Sequence, residues 1–306
     1  MFHFMNLTIF QGIKTPASPF KGILLDAYGV FWGGTAVGLL PGAKNAMENL
    51  IAEGKIVGIL SNSTQLVAKE LDKLQAHGIL QGSHFHFLLT SGQVARDTFL
   101  QEKLPFTSSR NTFMPFGKKH PDYSSHSAIF QNTIYTEVAD IDRADFLYIS
   151  IPHINGKDQT DPELFLKEIL EAKAKNLPMV CANPDLFAEE GSPPKLVVRQ
   201  GSIASLYKSL GGEVFYIGKP HEKVYIAAMS QFQNYQITLP SEILMVGDTP
   251  ETDIRGANNF GMSSALTLET GVMSKRAADM GLENALRALP TKDIPNFLIR
   301  RFISDF

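Results

Sequence analysis

The stretch Gly22-Ile23-Leu24-Leu25-Asp26-Ala27-Tyr28-Gly29-Val30 decides the fold. Its apolar run predicts a buried strand, and Asp26 stands where that strand ends. Open α/β sheets place reactive groups at the carboxyl ends of their strands. The sequence therefore predicts a reactive carboxylate at residue 26, with a tyrosine two residues further on.

The same strand-then-polar pattern recurs along the chain. Strands are predicted at Ile56–Leu60, Phe85–Leu89, Val214–Ile217, Ile243–Val246 and Ser264–Leu268. Apolar residues at helical spacing predict helices over 43–52, 65–76, 222–232 and 252–259. Strands that alternate with helices of this length are typical of a parallel sheet with helices on both faces.

The amino-acid composition changes between about residues 111 and 196, where proline and glycine are frequent. This region still contains a predicted strand at Phe146–Ile151, a helix at Pro162–Lys175 and a second strand at Pro178–Cys181. It is therefore interpreted as a second α/β module inserted into the first.

Composition excludes several classes of function. The chain has 306 residues, 44% of them hydrophobic, and a net charge of −3, so it lacks the basic excess that nucleic-acid binding needs. Cys181 is the single cysteine, which excludes an internal disulfide and a multi-thiolate metal site. No apolar run approaches the ~20 residues that cross a bilayer. We expect a cytoplasmic protein.

Charged or hydroxyl side chains follow four of the predicted strands, and they form a chemically coherent set: Asp26, Ser61, Lys219, Asp248 and Asp253. Because the carboxyl ends of parallel strands share one edge, these side chains can converge. Carboxylates suit Mg²⁺, a carboxylate can attack phosphorus, and a lysine can neutralise phosphoryl charge. Each residue alone could instead be a turn former, a helix cap or a solvated lysine.

Four short motifs carry a resemblance to a known family: Asp26-Ala-Tyr-Gly-Val, Leu60-Ser-Asn-Ser63, Gly218-Lys-Pro220 and Val246-Gly-Asp-Thr-Pro-Glu-Thr-Asp253. They resemble the four motifs of the haloacid dehalogenase superfamily. More narrowly, the chain is similar to subfamily IIA, the NagD-like sugar-phosphate and nucleotide phosphatases, whose cap domain lies between the second and third motifs. Thr90-Ser-Gly92 and Ala182-Asn-Pro-Asp185 support that resemblance.

The resemblance implies a role for each motif residue. Asp26 is expected to be nucleophile and metal ligand, with Asp248 as a further ligand and Asp253 holding metal-bound water. The backbone carbonyl of Tyr28 is expected to bind the metal as well. Ser61 and the backbone of Asn62 are expected to hold the phosphoryl group, and Lys219 to organise its charge. Asn183 and Asp185 are candidate substrate contacts in the cap.

Tyr28 departs from the pattern of the family's phosphatases, which carry an aspartate there as general acid and base. Such help is typically worth ~10²–10⁴-fold in rate. A phenol with the reference pKa of ~10 can donate a proton but is a poor base at neutral pH. Asp-Ala-Tyr-Gly also resembles the first motif of the dehalogenases, which displace halide without metal. Two alternatives therefore stay open: carbon–halogen hydrolysis, and a phosphate-binding protein of low activity.

These observations lead to one set of expectations. The fold is α/β, with a Rossmann-like, doubly wound parallel sheet as the catalytic core (residues 1–97 and 213–306) and an inserted α/β cap (residues 98–212). The expected function is Mg²⁺-dependent hydrolysis of a small phosphorylated metabolite through an aspartyl-phosphate on Asp26, with Tyr28 and Lys219 as further catalytic residues. No nucleic-acid or membrane partner is expected, and the sequence leaves homo-oligomerisation open.

Overall fold

The structure is a computed structural model that describes residues 8–34, 37–106, 109–117, 125–190 and 195–304. These residues form two compact units. The first unit comprises the described residues up to 61, residues 68–89 and those from 219 onward. The second unit comprises residues 62–67 and the described residues between 90 and 218, so the chain leaves the first unit and returns to it.

The strands are numbered in chain order. They are β1 (Ile9–Phe10), β2 (Gly22–Leu25), β3 (Ile56–Ser61), β4 (Phe87–Thr90), β5 (Thr112–Phe116), β6 (Thr136–Glu137), β7 (Phe146–Ile149), β8 (Met179–Cys181), β9 (Phe187–Glu190), β10 (Lys195–Val198), β11 (Val214–Tyr216), β12 (Ile243–Gly247), β13 (Ser263–Thr267) and β14 (Phe297–Ile299).

The α-helices are numbered in the same way. They are α1 (Lys14–Ala17), α2 (Ala43–Ala52), α3 (Val67–Ala76), α4 (Ser91–Leu100), α5 (Ser125–Phe130), α6 (Leu166–Ala174), α7 (Gln200–Ser209), α8 (Glu222–Gln233), α9 (Arg255–Phe260), α10 (Gly271–Met280) and α11 (Leu282–Arg287). A π-helix, Pro250–Ile254, directly precedes α9.

The first unit is built on a seven-stranded sheet with the order β1-β14-β13-β12-β2-β3-β4. Strand β2 pairs in parallel with β12 on one side and with β3 on the other, so Leu25 lies opposite both Val246 and Ile59. All residues of β2 and β12 are buried, as expected for central strands covered on both faces. The strand order reverses between β2 and β12, where ligands bind in open α/β sheets.

The second unit has a five-stranded sheet with the order β11-β8-β7-β5-β6, in which the strands pair in parallel. An antiparallel pair, β9 and β10, forms a separate two-stranded sheet. The core contains Leu147, Ile149 and Met179 from the sheet and Ile203 and Tyr207 from α7. Both units are therefore α/β, and the predicted fold class is confirmed.

The predicted placement of the strand over 214–217 is wrong. This strand was predicted to belong to the core, whereas β11 pairs with Met179–Cys181 in the sheet of the second unit. A short strand before a helix has the same sequence pattern in either module, and only its pairing partner distinguishes them. The structural boundary accordingly lies between Gly218 and Lys219 rather than at residue 213.

The other boundary lies at a short motif, Thr90-Ser91-Gly92, that begins with the last residue of β4. Thr90 Oγ1 donates a hydrogen bond to the Gln65 carbonyl at 2.7 Å, and Ser91 Oγ donates to the Asn62 carbonyl at 2.8 Å. A Cβ on Gly92 would lie 2.2 Å from the Thr64 carbonyl oxygen, so only glycine permits this approach. These contacts join residues 62–67 to the segment that begins at Thr90, and both segments belong to the second unit, although residues 1–97 were predicted to be core.

Among the described residues, no helix is both long enough and apolar enough to cross a membrane.

Candidate active site

Asp26 is the residue that directly follows β2. Its backbone N–H donates to the Val246 carbonyl at 2.9 Å, which continues the pairing with β12 by one residue. The residue is buried, and its Oδ1 accepts a hydrogen bond from Lys219 Nζ at 2.5 Å. The predicted nucleophile thus lies at the carboxyl end of the central strand, in contact with a cation.

Lys219 is the buried cation of the site, with 2% of its surface exposed. Its Nζ also lies 2.8 Å from Asp253 Oδ1, so one ammonium serves two carboxylates. Burial lowers the pKa of Lys219, but Asp253 and Asp26 raise it by more, and the net pKa lies above the ordinary value for lysine. The side chain is therefore a fixed positive charge at neutral pH.

Asp253 is held by the π-helix that follows β12. Its Oδ2 accepts the backbone N–H groups of Asp248 and Thr249, both at 3.1 Å. A Cβ on Gly247 would lie 2.2 Å from the Cβ of Asp253, so this glycine allows the helix to fold back onto its own strand end. The conformation orients one carboxylate oxygen toward the backbone and the other toward Lys219.

Asp248 directly follows β12 and is buried. Its Oδ2 accepts the backbone N–H of Val272 at 2.7 Å, and its Oδ1 accepts the Thr249 hydroxyl at 3.0 Å. Burial raises the pKa of Asp248 well above its ordinary value, and the neighbouring Asp253 and Asp26 raise it further. The carboxylates of Asp26, Asp248 and Asp253 thus carry more negative charge than Lys219 alone balances.

Two glycines, Gly29 and Gly271, lie against the carboxylate of Asp248, where a side chain would clash with it. A Cβ on Gly29 would lie 2.3 Å from Asp248 Oδ2, and one on Gly271 would lie 1.9 Å from the same atom. Both glycines have positive φ, +77° and +64°, a region that other residues rarely adopt. The backbone can therefore approach the carboxylate closely from two directions.

The donor set fits a divalent cation. Asp26, Asp248 and Asp253 each offer a carboxylate oxygen, and these oxygens lie within 4.8 Å of one another. Hard oxygen ligands suit Mg²⁺, which binds through one or two carboxylates and keeps several waters. A cation here would relieve the repulsion that raises the pKa of Asp248. The residues present are thus compatible with Mg²⁺.

Tyr28 has a half-exposed side chain, with 46% of the residue surface accessible. Lys73 of α3 contacts it, with Nζ 3.4 Å from the phenol oxygen and 5.2 Å from the ring centroid. Burial lowers the pKa of Lys73, but Tyr28 and Glu70 raise it by more, so its net pKa lies above the ordinary value. The residue that departs from the family pattern thus has a cationic neighbour.

The remaining predicted residues occupy two places. Ser61 is the buried last residue of β3, beside β2 in the first unit. Asn62, Asn183 and Asp185 belong to the second unit. There Asn62 Nδ2 donates to Asp185 Oδ1 at 2.9 Å, and Asn183 Oδ1 accepts the backbone N–H of Asp185 at 2.9 Å. The Asn183 side chain therefore forms a turn, the Asp185 side chain binds Asn62, and contact of either residue with substrate stays a prediction.

Three residues beside these side chains were not predicted from the sequence: Gly271, Val272, whose backbone N–H binds Asp248, and Lys73. Gly271 could have been suspected because Thr270-Gly271 opens a helix after a predicted strand, which is a common place for a ligand-facing backbone. Lys73 carried no signal, since a lysine in an amphipathic helix is most often a solvated residue.

The chain is similar to several known proteins. Residues 216–288 match a family model described as HAD-hydrolase-like. Rat (Rattus norvegicus) chronophin is 26% identical over 270 residues, which is 84% of this chain and 79% of chronophin. A Schizosaccharomyces pombe cardiolipin synthase/mitochondrial hydrolase fusion protein is 40% identical over 104 residues, but the match spans only 17% of that protein and 30% of this chain.

Solved structures share the fold across nearly the whole chain. A haloacid dehalogenase-like hydrolase from Brucella suis 1330 superposes with a TM-score of 0.75 at 23% identity, covering 96% of this chain and 99% of that one. A possible sugar phosphatase of the HAD superfamily from Cytophaga hutchinsonii gives 0.74 at 20% identity, covering 98% and 100%.

The strand-end carboxylates and the buried lysine form one charged cluster at the carboxyl edge of the sheet. The family-model match over residues 216–288 includes Lys219, Asp248 and Asp253 and supports the resemblance to the haloacid dehalogenase superfamily that the four motifs carry. The resemblance drawn from the motifs is confirmed, and the chain is a hydrolase.

Proposed function

We propose that the protein is a Mg²⁺-dependent phosphoric-monoester hydrolase that acts on a small phosphorylated metabolite, such as a sugar phosphate or a nucleotide. The observation that carries the proposal is the cluster of Asp26, Asp248 and Asp253 around the buried Lys219. The names of the relatives, among them a possible sugar phosphatase, support this substrate class.

Asp26 is the proposed nucleophile. One of its carboxylate oxygens forms a bond to phosphorus while the bond from phosphorus to the leaving oxygen breaks, which gives an aspartyl-phosphate. Water then attacks that phosphorus, inorganic phosphate leaves, and the carboxylate of Asp26 is restored. Lys219 stabilises the charge that accumulates on the phosphoryl oxygens, because it is a preorganised cation within reach of Asp26.

Asp26, Asp248 and the carbonyl of Tyr28 would hold Mg²⁺ directly, and Asp253 would hold its water ligands. When bound, the ion supplies Lewis-acid stabilisation of the transferring phosphoryl group. Asp253 also keeps Lys219 in place and fixes the backbone of residues 248 and 249 through its second oxygen. Ser61 is the proposed hydroxyl donor to the phosphoryl group.

Tyr28 is the proposed donor to the leaving oxygen. Its phenol can supply a proton when the ester bond breaks, but it is a weaker base than a carboxylate in the hydrolysis of the aspartyl-phosphate. We therefore expect the second half of the reaction, the attack of water, to limit turnover.

The proposal is tested with a panel of phosphoric monoesters on wild type, Asp26→Asn and Tyr28→Asp, each with and without Mg²⁺. Wild type should release phosphate only with Mg²⁺, and Asp26→Asn should be inactive. Tyr28→Asp should gain turnover, up to the ~10²–10⁴-fold that a general acid–base provides. Unchanged hydrolysis in Asp26→Asn would refute the nucleophile, and metal-independent turnover would refute the Mg²⁺ requirement.

A phosphate-binding protein of low activity is the second candidate, favoured by the absence of a carboxylate at position 28. It predicts tight binding of a beryllofluoride phosphate mimic together with negligible hydrolysis across the panel. Carbon–halogen hydrolysis has less support, because Asp248 lies within the carboxylate cluster of Asp26. That activity predicts metal-independent halide release from a 2-haloacid that Asp248→Ala leaves unchanged.

A further inference from the structure

The turn that carries Tyr28 is fixed by its own backbone. Gly29 N–H donates to the Trp32 carbonyl at 2.8 Å, and Trp32 N–H donates to the Ala27 carbonyl at 2.9 Å. Gly29 lies against Asp248, as described above. The backbone beside Tyr28 therefore has a fixed position next to Asp248. The side chain of Tyr28 is half-exposed, and its orientation depends on the side chains that contact it.

Lys73 supplies that constraint from α3. Its ammonium lies 5.2 Å from the centroid of the Tyr28 ring and 5.4 Å from that of Trp32, both within the range of a cation–π interaction. The same nitrogen lies 3.4 Å from the phenol oxygen. An ammonium only donates, so the phenol oxygen accepts in this contact and its O–H is not consumed by it.

Lys73 is itself held in place. Glu70, one helical turn earlier, is buried and forms an ion pair with the Lys73 ammonium. Trp32 is 1% exposed and packs edge-on against His77 with centroids 4.6 Å apart, so the aromatic surface next to Lys73 is rigid. Two fixed groups therefore restrict a side chain that would otherwise sample many rotamers.

We propose that Lys73 is a positioning residue for hydrolysis: anchored by Glu70 and Trp32, it fixes the Tyr28 side chain so that the phenol hydroxyl can hydrogen-bond the leaving oxygen of the ester. This inference rests on the proposed phosphatase function and assigns a role to a residue outside the four motifs. Lys73 contacts neither the phosphoryl group nor the metal in this role and acts through Tyr28 alone.

Leaving-group dependence separates this role from a purely structural one. A p-nitrophenolate leaves with little help, whereas an alkoxide needs a hydrogen-bond donor at the leaving oxygen. Loss of a positioned Tyr28 should therefore slow an alkyl phosphate far more than p-nitrophenyl phosphate. A general loss of structure should slow both substrates equally.

The experiment measures kcat and KM for these two substrates with Mg²⁺ in wild type, Lys73→Met, Lys73→Arg, Tyr28→Phe and the Lys73→Met/Tyr28→Phe double variant. Lys69→Met is the matched control, because Lys69 is an exposed lysine on the same helix. Because kcat/KM reports the step in which the ester bond breaks, we expect Lys73→Met to lower kcat/KM at least about tenfold for the alkyl phosphate and less than about threefold for p-nitrophenyl phosphate.

Tyr28→Phe should show the same discrimination, and the double variant should be no slower than the slower single variant, because both substitutions remove one function. Lys73→Arg should recover part of the rate, since a guanidinium also stacks on aromatic rings and donates hydrogen bonds. Lys69→Met should behave as wild type.

Trp32 adds a readout that does not depend on activity. It is the single tryptophan of the chain, so fluorescence excited selectively at the indole reports on this cluster. Lys73→Met should change the emission and Lys69→Met should not, while thermal melting confirms that each variant folds.

Equal slowing of both substrates, or additive effects in the double variant, would overturn the positioning role while leaving the phosphatase function intact. The absence of Mg²⁺-dependent phosphate release by wild type would overturn the phosphatase function itself.

Discussion

Lys219 Nζ and Asp253 Oδ1 lie 2.8 Å apart, and both side chains are almost fully buried. Asp26 shares the same ammonium, so the nucleophile and the orienting carboxylate are joined through one cation. Asp248 belongs to the same carboxylate cluster but takes its own hydrogen bonds from Val272 and Thr249. The cluster thus contains three carboxylates and one ammonium. When all three carboxylates are ionised, two negative charges are left unbalanced, and this favours the binding of a divalent cation.

Lys219→Met should destabilise the protein by about 3–5 kcal/mol, because it leaves two buried carboxylates without their cation. The raised pKa of Lys219 means that its contribution is complete below the lysine pKa of the unfolded chain and is lost only as pH rises through the folded value. The titration of Lys219 therefore adds no pH dependence to the loss between pH 6 and pH 8, and denaturant titration measures the loss of unfolding free energy.

The matched control for that variant is Lys21→Met. Lys21 pairs with Glu242 at 2.5 Å, but 68% of its side chain is exposed, and surface pairs contribute only about 0–1 kcal/mol. Equal losses in the two variants would contradict the structural importance of the buried cluster.

Asp248→Asn should stabilise the metal-free protein and abolish its stabilisation by Mg²⁺. The folded state raises the pKa of Asp248, so between the unfolded and folded pKa values the native state binds more protons than the unfolded state. Stability from this group is therefore present at low pH and is lost as pH rises through that window. Above it, the ionised carboxylate opposes folding until a cation binds.

Thermal melts with and without Mg²⁺ measure both effects, since a ligand that binds only the native state raises Tm. Asp279→Asn, which alters an exposed carboxylate on α10, should keep the Mg²⁺-dependent shift of wild type. An undiminished shift in Asp248→Asn would show that the ion binds elsewhere.

Gly271→Ala should reduce both stability and Mg²⁺ affinity. Its Cβ would lie 1.9 Å from Asp248 Oδ2, so the carboxylate or the start of α10 must move, and overpacking of this kind typically costs ~1–3 kcal/mol. Gly54→Ala is the control, because Gly54 also has positive φ, +77°, but meets nothing within 4 Å. Chemical denaturation and Mg²⁺ titration compare the two; equal effects would mean that backbone strain, and not contact with Asp248, decides the result.

The sequence predicted the elements whose signals are local. Helix α2 has the predicted bounds, since its apolar spacing and the following Gly54 are both visible in the sequence. Asp26 and Asp248 were predicted to lie close together because each follows a short apolar strand, and the structure brings their carboxylates together. The contact of Lys73 with Tyr28 could not be predicted, because the two residues meet only when α3 packs against the turn after β2.

The pairing of strands that are distant in the sequence could not be predicted either. Strand β1 pairs with β14, so the beginning of the described chain joins its last strand, and β11 joins the sheet of the second unit. Periodicity identifies that a segment is a strand but carries no information on its neighbour. The location of the carboxylate cluster was predictable, whereas the precise extent of each unit was not.

His86→Asn should make stability less sensitive to acid. His86 Nδ1 accepts a hydrogen bond from the Val57 N–H at 3.0 Å, and this requires that Nδ1 carry no proton. The imidazole ring packs edge-on against Tyr235, with ring centroids 5.2 Å apart. Burial lowers the pKa of His86 below its ordinary value of 6.5. The unfolded state therefore binds more protons between the folded pKa and 6.5, so the stability from the neutral ring is complete above that range and is lost as pH falls through it. Asparagine can still accept the Val57 N–H but does not titrate. The difference in unfolding free energy between wild type and the variant should shift in favour of the variant from pH 7 to pH 5; a constant difference would refute the prediction.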